Sequence, residues 1–165
     1  MRSINLRIKS KGWTPAMTLN DIINYCGQKV QYNKTTATKY QCVDFVKFYC
    51  DKFLNIYDAL PELKKVWAWG NAKDWATPNS QSKKFFDFLK PNEKLKKGDI
   101  IVFSPNEMDV LHRISDYGHI AVYVGIDTKN RMICIEQNYP NKTPISLNAH
   151  NKSCIMKILR KKGDA

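Results

Sequence analysis

At 165 residues, with 43% hydrophobic and 12% aromatic side chains, the chain is one domain long and has the composition of a folded protein, not a disordered one. No apolar run is long enough to span a bilayer, and the basic start "MRSINLRIKSKGW" lacks the apolar stretch of a secretory signal. The formal charge of +12, from 27 Lys and Arg against 15 Asp and Glu, predicts attraction to a polyanion: nucleic acid, an anionic membrane face or a teichoic-acid-bearing cell wall. The basic residues are scattered ("LKKV", "SKKFF", "EKLKKGD", "LRKKGD") and form no single stripe, so most of them read as a solvated surface.

In chain order, residues 1–16 read as a basic N-terminal arm ending near Pro15. Thr18 with Asp21 resembles a capping arrangement, and Leu19, Ile22, Ile23 and Cys26 make an apolar helical face that Gly27 would stop. Residues 28–39 are loop-like. From Cys42 the residues Val43, Phe45, Val46, Tyr49, Cys50, Phe53 and Leu54 predict a mostly buried helix. Pro61 suits the first position of a short helix, "PELKKVWAW", ending at Gly70, and "KKFFDFLK" is ambiguous between helix and strand. After the turn signal Gly98-Asp99 the period changes. "IIVF", "HIAVYVG", "RMICIEQN" and "SCIMKIL" read as strands, with a long polar loop over 104–118. Helices first and strands last predict an α+β fold with an antiparallel sheet. The expected division is a basic arm over 1–16, one domain over 17–161 and a tail over 162–165.

Cysteines stand at 26, 42, 50, 134 and 154. An odd count without a CxxC pair argues against a disulfide framework or a zinc ribbon and fits thiols in a reducing compartment. Cys42 begins the apolar helical pattern. A thiol attacks an acyl carbon as the thiolate, and the first turn of a helix, with its unpaired N–H groups and positive dipole end, favours that form. For Cys26, Cys50 and Cys154 the ordinary reading, a small hydrophobe, stands.

A base near neutrality should be a histidine. His150, in "NAHNKS", falls in an expected surface loop, and His112 lies inside the long loop. His119 opens a strand directly after Gly118 and is the better-held candidate, with His112 behind it. The acceptors that would orient its other nitrogen are Glu136 and Asn138 in "IEQNY", two apart and therefore on one face of a strand. Pairing 126 with 131 sets His119 opposite Asn138, and pairing 125 with 130 sets it opposite Glu136. In both registers the three side chains share a face. A slip of one residue would turn the histidine away, so the arrangement requires an even-length loop or a bulge. Cys134 shares that face as a rival nucleophile, but lies mid-strand.

"YQCVDFVKFY", "WGNAKDW", "GDIIVF", "GHIAVYVG" and "EQNY", in this order, resemble the CHAP domain, the cysteine- and histidine-dependent amidohydrolase/peptidase module of phage endolysins and bacterial autolysins. The resemblance implies a papain-like α+β fold with helices packed on a C-terminal antiparallel sheet. It implies hydrolysis of an amide bond in peptidoglycan, with Cys42 as nucleophile, His119 as base, Glu136 as orienter and Asn138 as a polar helper. Gln41 or a backbone N–H near Cys42 would bind the oxyanion, and Trp69, Gly70, Asn71 and Ala72 would line the cleft. Some lysins of this kind carry aspartates that bind calcium before the cysteine. Here Asn33, Thr35 and Ala37 stand in that stretch, so neither a metal nor another cofactor is expected. Asp44 would instead serve the helix dipole.

The resemblance further implies a monomeric endolysin, made in a host cytoplasm and released to the wall, acting on peptidoglycan and attracted to anionic wall polymers. Either an N-acetylmuramoyl-L-alanine amidase or a stem-to-crossbridge endopeptidase is implied, with no nucleic-acid partner and no membrane span. The alternatives are an inactive CHAP-like basic module that binds wall polymer or nucleic acid, and a cysteine amidase on a small soluble substrate.

Overall fold

A computed structural model describes residues 17–32, 41–56 and 71–163. The expected arm over 1–16 and the expected helix at "PELKKVWAW" lie outside these residues. The helix from Cys42 is present as α1 (Cys42–Lys52). Every residue from Cys42 to Cys50 is buried, the charged Asp44 and Lys47 included. A helix enclosed all round lies inside the protein. One side of α1 meets the sheet, and the aromatic pairs Tyr25–Phe48, Phe48–Phe53 and Tyr49–Phe53 cover another, with ring centroids 4.8, 5.9 and 5.7 Å apart.

The sheet has six strands: β1 (Phe86–Leu89), β2 (Ile100–Phe103), β3 (His119–Ile126), β4 (Met132–Glu136), β5 (Ser146–His150) and β6 (Ile155–Lys161). Their order is β1-β6-β2-β3-β4-β5, with every pairing antiparallel. Alternation along the strands divides the interior into two cores. Ile100, Val102, Ile120, Val122, Ile135 and Leu159 face α1 and Trp75. Ile101, Phe103, Ala121, Tyr123, Cys134 and Ile158 pack on the other face. "KKFFDFLK" resolves into a single 3-10 turn, Ser82–Lys84, followed by β1.

Three expectations need correction. The segment after Thr18 is a 3-10 helix, Leu19–Tyr25, capped as expected by Asp21 accepting from the Thr18 N–H at 2.7 Å. With three residues per turn the α-helical spacing fails: Ile22 is buried, while Ile23 and Cys26 are exposed. The 104–118 loop is not a solvated excursion. It buries Asp109 and Ile114 and pairs Met108 with Arg113. Finally, "SLNAH" is the edge strand β5, not a surface loop. Its polar residues Ser146, Asn148 and His150 stand opposite Glu136, Cys134 and Met132, so the usual polarity pattern is inverted.

Gly118 sets the entry to β3. Its φ is +74°, and a Cβ there would come within 3.0 Å of the Phe103 carbonyl oxygen and 3.1 Å of the Lys73 backbone nitrogen. Backbone on two sides cannot yield as a flexible side chain can. Gly118→Ala is therefore expected to destabilise the protein by more than about 1 kcal/mol, through the left-handed φ and the clash together. Urea unfolding measures the loss.

Candidate active site

The N-terminus of α1 is held from several directions. Asp44, fully buried, accepts from the Gln41 N–H at 2.9 Å and from the Tyr32 N–H at 3.0 Å. It thus caps the helix and fastens the preceding loop to it. Gln137, just past β4, accepts from the Val30 N–H at 2.8 Å and donates to the Val30 and Gln41 carbonyl oxygens at 2.9 and 3.0 Å. The helix start that carries Cys42 is thereby tied to the end of the strand that carries Glu136.

His119 opens β3, 5% exposed. Its Nε2 donates to Glu136 Oε2 at 2.6 Å, and the Cys42 side chain lies close enough to favour the ring's charged form. The register condition is met by a bulge. Gly125 pairs with Ile133 and Ile126 with Met132, which closes an odd loop over 127–131. Beyond the irregularity at Val124, Tyr123 pairs with Cys134 and Val122 with Ile135. That one-residue shift returns His119 to the face of Glu136.

The network extends past these residues to two that the sequence reading did not select. Glu136, fully buried, also accepts from His150 Nε2, with its two oxygens at 2.7 and 2.9 Å. His150 Nδ1 donates to Asp109 Oδ2. Asp109 further accepts from the Tyr139 hydroxyl and the Asn151 N–H, each at 2.8 Å. The rings of His119, Tyr139 and His150 pack together, with Tyr139 centred 4.8 and 4.6 Å from the two imidazoles. His112, the second-choice base, bonds the Arg113 carbonyl oxygen through Nδ1 and rests on Tyr139 at 4.4 Å. It thus joins the ring cluster through Tyr139, with its Nδ1 engaged by the backbone. A signal for His150 existed in the sequence: a histidine on alternate positions with Ser146 and Asn148.

Asn138 does not lie on the strand. β4 ends at Glu136, and Asn138 takes a left-handed turn conformation, φ +64°. Its Nδ2 donates to Gln41 Oε1 at 3.3 Å, and its Oδ1 accepts from the Lys142 N–H at 2.6 Å. Asn138 therefore steers the Gln41 carboxamide, while Glu136 alone of the two holds the imidazole. Asn71 is exposed and caps a 3-10 helix, Ala72–Ala76, whose Lys73 N–H donates to the Tyr117 carbonyl oxygen at 3.0 Å. This places the segment beside the approach to His119. Trp69 and Gly70 lie outside the described residues, as do Asn33, Thr35 and Ala37.

Electrostatics separate the groups. Burial opposes a charge on His119, but the Glu136 carboxylate and the Cys42 thiol outweigh it and raise the ring to about 10. Burial would raise Glu136, yet the charges of His119 and His150 hold it below its usual range. Asp109 is lowered to about 2, its burial outweighed by His150, the Asn151 N–H and the Tyr139 hydroxyl. Burial pushes the Cys134 thiol far up, with Glu136 and Asp109 adding to it, and raises Cys154 to about 11 and Cys50 further still. Cys134 is thus a protonated core residue, not a rival nucleophile. The donor atoms of His119, Glu136 and His150 lie within 4.8 Å of one another, close enough to surround an ion. The nitrogen–oxygen contacts of 2.6 to 2.9 Å among them are hydrogen-bond distances, and they join the group in a proton-sharing network.

The profile of the CHAP domain matches residues 31–138, well over half of the chain. The chain belongs to the CHAP domain family. Among solved structures it is similar to Ly7917 with the hydrolyzing product of MDP, at a TM-score of 0.59 and 14% identity over 88% of this chain and 64% of that one. It is also similar to the wild type endolysin LysIME-EF1, at 0.60 and 18% over 90% of this chain and 66% of the other. A second structure of Ly7917 gives 0.59 and 14%, over 88% and 62%. The chain therefore spans just under two thirds of the length of these relatives. At such identities the likeness concerns the fold, an α+β papain-like architecture. No curated protein matches the chain in sequence. Among the described residues of this CHAP domain, no helix is long and apolar enough to cross a membrane.

The shifted groups make stability depend on pH with opposite signs on the two sides. The raised His119 contributes fully below about pH 6.5, its unfolded value, and the contribution is lost as pH rises through about 10. The lowered Asp109 contributes fully above its ordinary 3.8, and loses this as pH falls through about 2. The network is expected to stabilise most between about pH 4 and 6.5. Urea midpoints measured from pH 2 to 10 should fall on both sides of that window, and a level profile from pH 6.5 to 10 contradicts the assignment.

Proposed function

We propose that the chain is a peptidoglycan hydrolase that cleaves an amide bond by cysteine nucleophilic catalysis. The observation that carries this reading is the grouping of three side chains: Cys42 at the start of α1, the His119 ring near it, and Glu136 on the ring's Nε2. In the proposed reaction, the thiol proton is held on His119, whose ring the site favours in its charged form, and the Cys42 sulfur attacks the amide carbon. The oxyanion formed accepts hydrogen bonds from the backbone N–H of Cys42, one of the unpaired donors of a helix start, and from the Gln41 carboxamide nitrogen. With its Oε1 engaged by Asn138, that carboxamide has its nitrogen to offer. His119 then protonates the leaving amine as the C–N bond breaks, leaving a thioester on Cys42. Water attacks the thioester and gives a proton to His119. The carboxylic acid departs, which restores the sulfur and the protonated His119.

The substrate class follows from the family and from the endolysin among the structural neighbours, and the +12 charge suits an anionic wall. The proposed catalytic unit is 17–161, acting as a monomer. An endolysin of this kind would be made in the host cytoplasm and act after release. Either the N-acetylmuramoyl-L-alanine amide or a stem-to-crossbridge peptide bond suits the chemistry. Mass spectrometry of fragments from defined cell walls distinguishes them, a free N-terminal alanine marking the first.

Cys42→Ala is expected to lower fragment release from purified peptidoglycan by about a thousandfold or more, with circular dichroism and sedimentation with walls unchanged. Lysis that persists undiminished in this variant would leave a basic wall-binding module in place of the enzyme.

A further inference from the structure

The hydrolase reading uses Cys42, His119 and Glu136. It leaves unexplained why a second imidazole and a second carboxylate are buried behind them. His150 is fully buried and belongs to β5, while Asp109 comes from the 104–118 loop and is 6% exposed. A polar pair sealed from water needs its hydrogen bonds satisfied, and satisfaction here constrains the protons. Both ring nitrogens of His150 face carboxylate oxygens, Glu136 at 2.7 Å and Asp109 on the opposite side. Asp109 already accepts from the Tyr139 hydroxyl and the Asn151 N–H, which fixes it as an acceptor. Glu136 likewise accepts from His119 at 2.6 Å. A neutral imidazole would turn one bare nitrogen lone pair against an oxygen lone pair. With Glu136 ionised, as the two imidazoles beside it favour, only a ring that carries both protons satisfies the two contacts.

We propose that His150, anchored by Asp109, is a positioning residue of the site: it stands as a doubly protonated ring between two carboxylates and keeps Glu136 ionised and turned toward His119. This rests on the hydrolase reading for its kinetic consequence, though not for its proton inventory. The titratable groups facing His150 among the described residues are Glu136 from β4, Asp109 from the loop, His119 from β3 and Tyr139 from the turn after β4, with Cys134 of β4 near the two carboxylates. Phe103 of β2 supplies an uncharged wall 4.6 Å from the ring. With His150 charged, two carboxylates face one fixed positive charge, and the pair presents one net negative charge to the His119 ring. Without it, the fully buried Glu136 loses one of the two imidazoles that donate to it and hold it ionised. Burial then favours the protonated acid, which is a weaker, uncharged acceptor for His119. Burial opposes the charge on His150 itself, but Glu136 and Asp109 raise it above the ordinary histidine value, in agreement with the geometry.

Two measurements test this. Nitrogen NMR of the histidine rings in the wild-type chain at pH 7 needs no substrate, and it should show His150 with both nitrogens protonated. A neutral single tautomer overturns the proposal. In parallel, His150→Gln and the near-isosteric Asp109→Asn are assayed on purified peptidoglycan across pH. The expected result is a kcat lower by about 10- to 100-fold with KM little changed, and an acid limb of kcat/KM moved up by about one pH unit. A purely structural role would lower activity equally at every pH, and an unmoved acid limb in both variants overturns the proposal. Should His150→Gln not fold, Asp109→Asn and the wild-type spectrum decide. A wild-type chain that releases no fragments ends the hydrolase reading, and the spectrum then decides the protonation of His150 alone.

Discussion

The site depends on a carboxylate buried without access to water. Glu136 is fully enclosed, and an ionised group in that position costs several kcal/mol unless its oxygens are occupied by donors. Its donors come from elsewhere in the chain: His119 at the head of β3 and His150 at the end of the edge strand β5. Asp109, from the loop before β3, completes the arrangement behind His150. Leaving any one of these unpaired is expensive, so segments far apart in sequence are constrained to one geometry. The reactive geometry and the folding of the sheet's end are therefore a single problem.

The residues that follow Glu136 extend that constraint to the helix. Successive residues in a strand alternate in direction, and the chain uses the alternation at the point where β4 ends. Glu136 turns to the imidazoles, Gln137 turns the other way to Val30 and the Gln41 carbonyl, and Asn138, already in a turn, reaches the Gln41 side chain. The stretch "EQN" is thus a junction of three structural parts and not a list of polar helpers. Its middle residue has no reacting partner, yet it fixes the distance between the two that do.

The sequence makes the α1 helix and the strands β2, β3, β4 and β6 legible, because burial and periodicity agree in those segments, and it suggests Cys42 and His119 as a pair. It conceals β5 for a physical reason. That strand points its polar residues inward to Asp109, Glu136 and the Tyr139 carbonyl, and leaves Leu147 exposed, which reverses the sign on which pattern reading relies. His150 is hidden by the same inversion, and Asp109 by the loop composition around it. The parity condition on the β3–β4 hairpin could be stated from sequence, but the means of meeting it could not. An odd loop with a bulge at Val124 and an even loop without one place His119 on the same face. Asn138 shows the limit of extending a strand by alternation, since a left-handed residue ends the alternation at once.

The two halves of the proposed catalytic pair belong to different layers of the protein. Cys42 is part of the core that α1 forms over one face of the sheet. His119 alternates with Ala121 and Tyr123, which pack on the other face, and its ring lies against Phe103 there. They meet only because His119 is the first residue of its strand and Cys42 the first of its helix, so both sit where the layers end. Such a junction gains nothing from close packing within either core, and a small slide of the helix along the sheet would part sulfur from imidazole while leaving both cores intact. What resists the slide is polar and directional: Gln137 bonded at 2.8 to 3.0 Å to Val30 and Gln41, and Asp44 joining the helix cap to Tyr32. Hydrophobic burial, being non-directional, secures the layers, and a few buried hydrogen bonds set their register to the tolerance that a nucleophile and its base require.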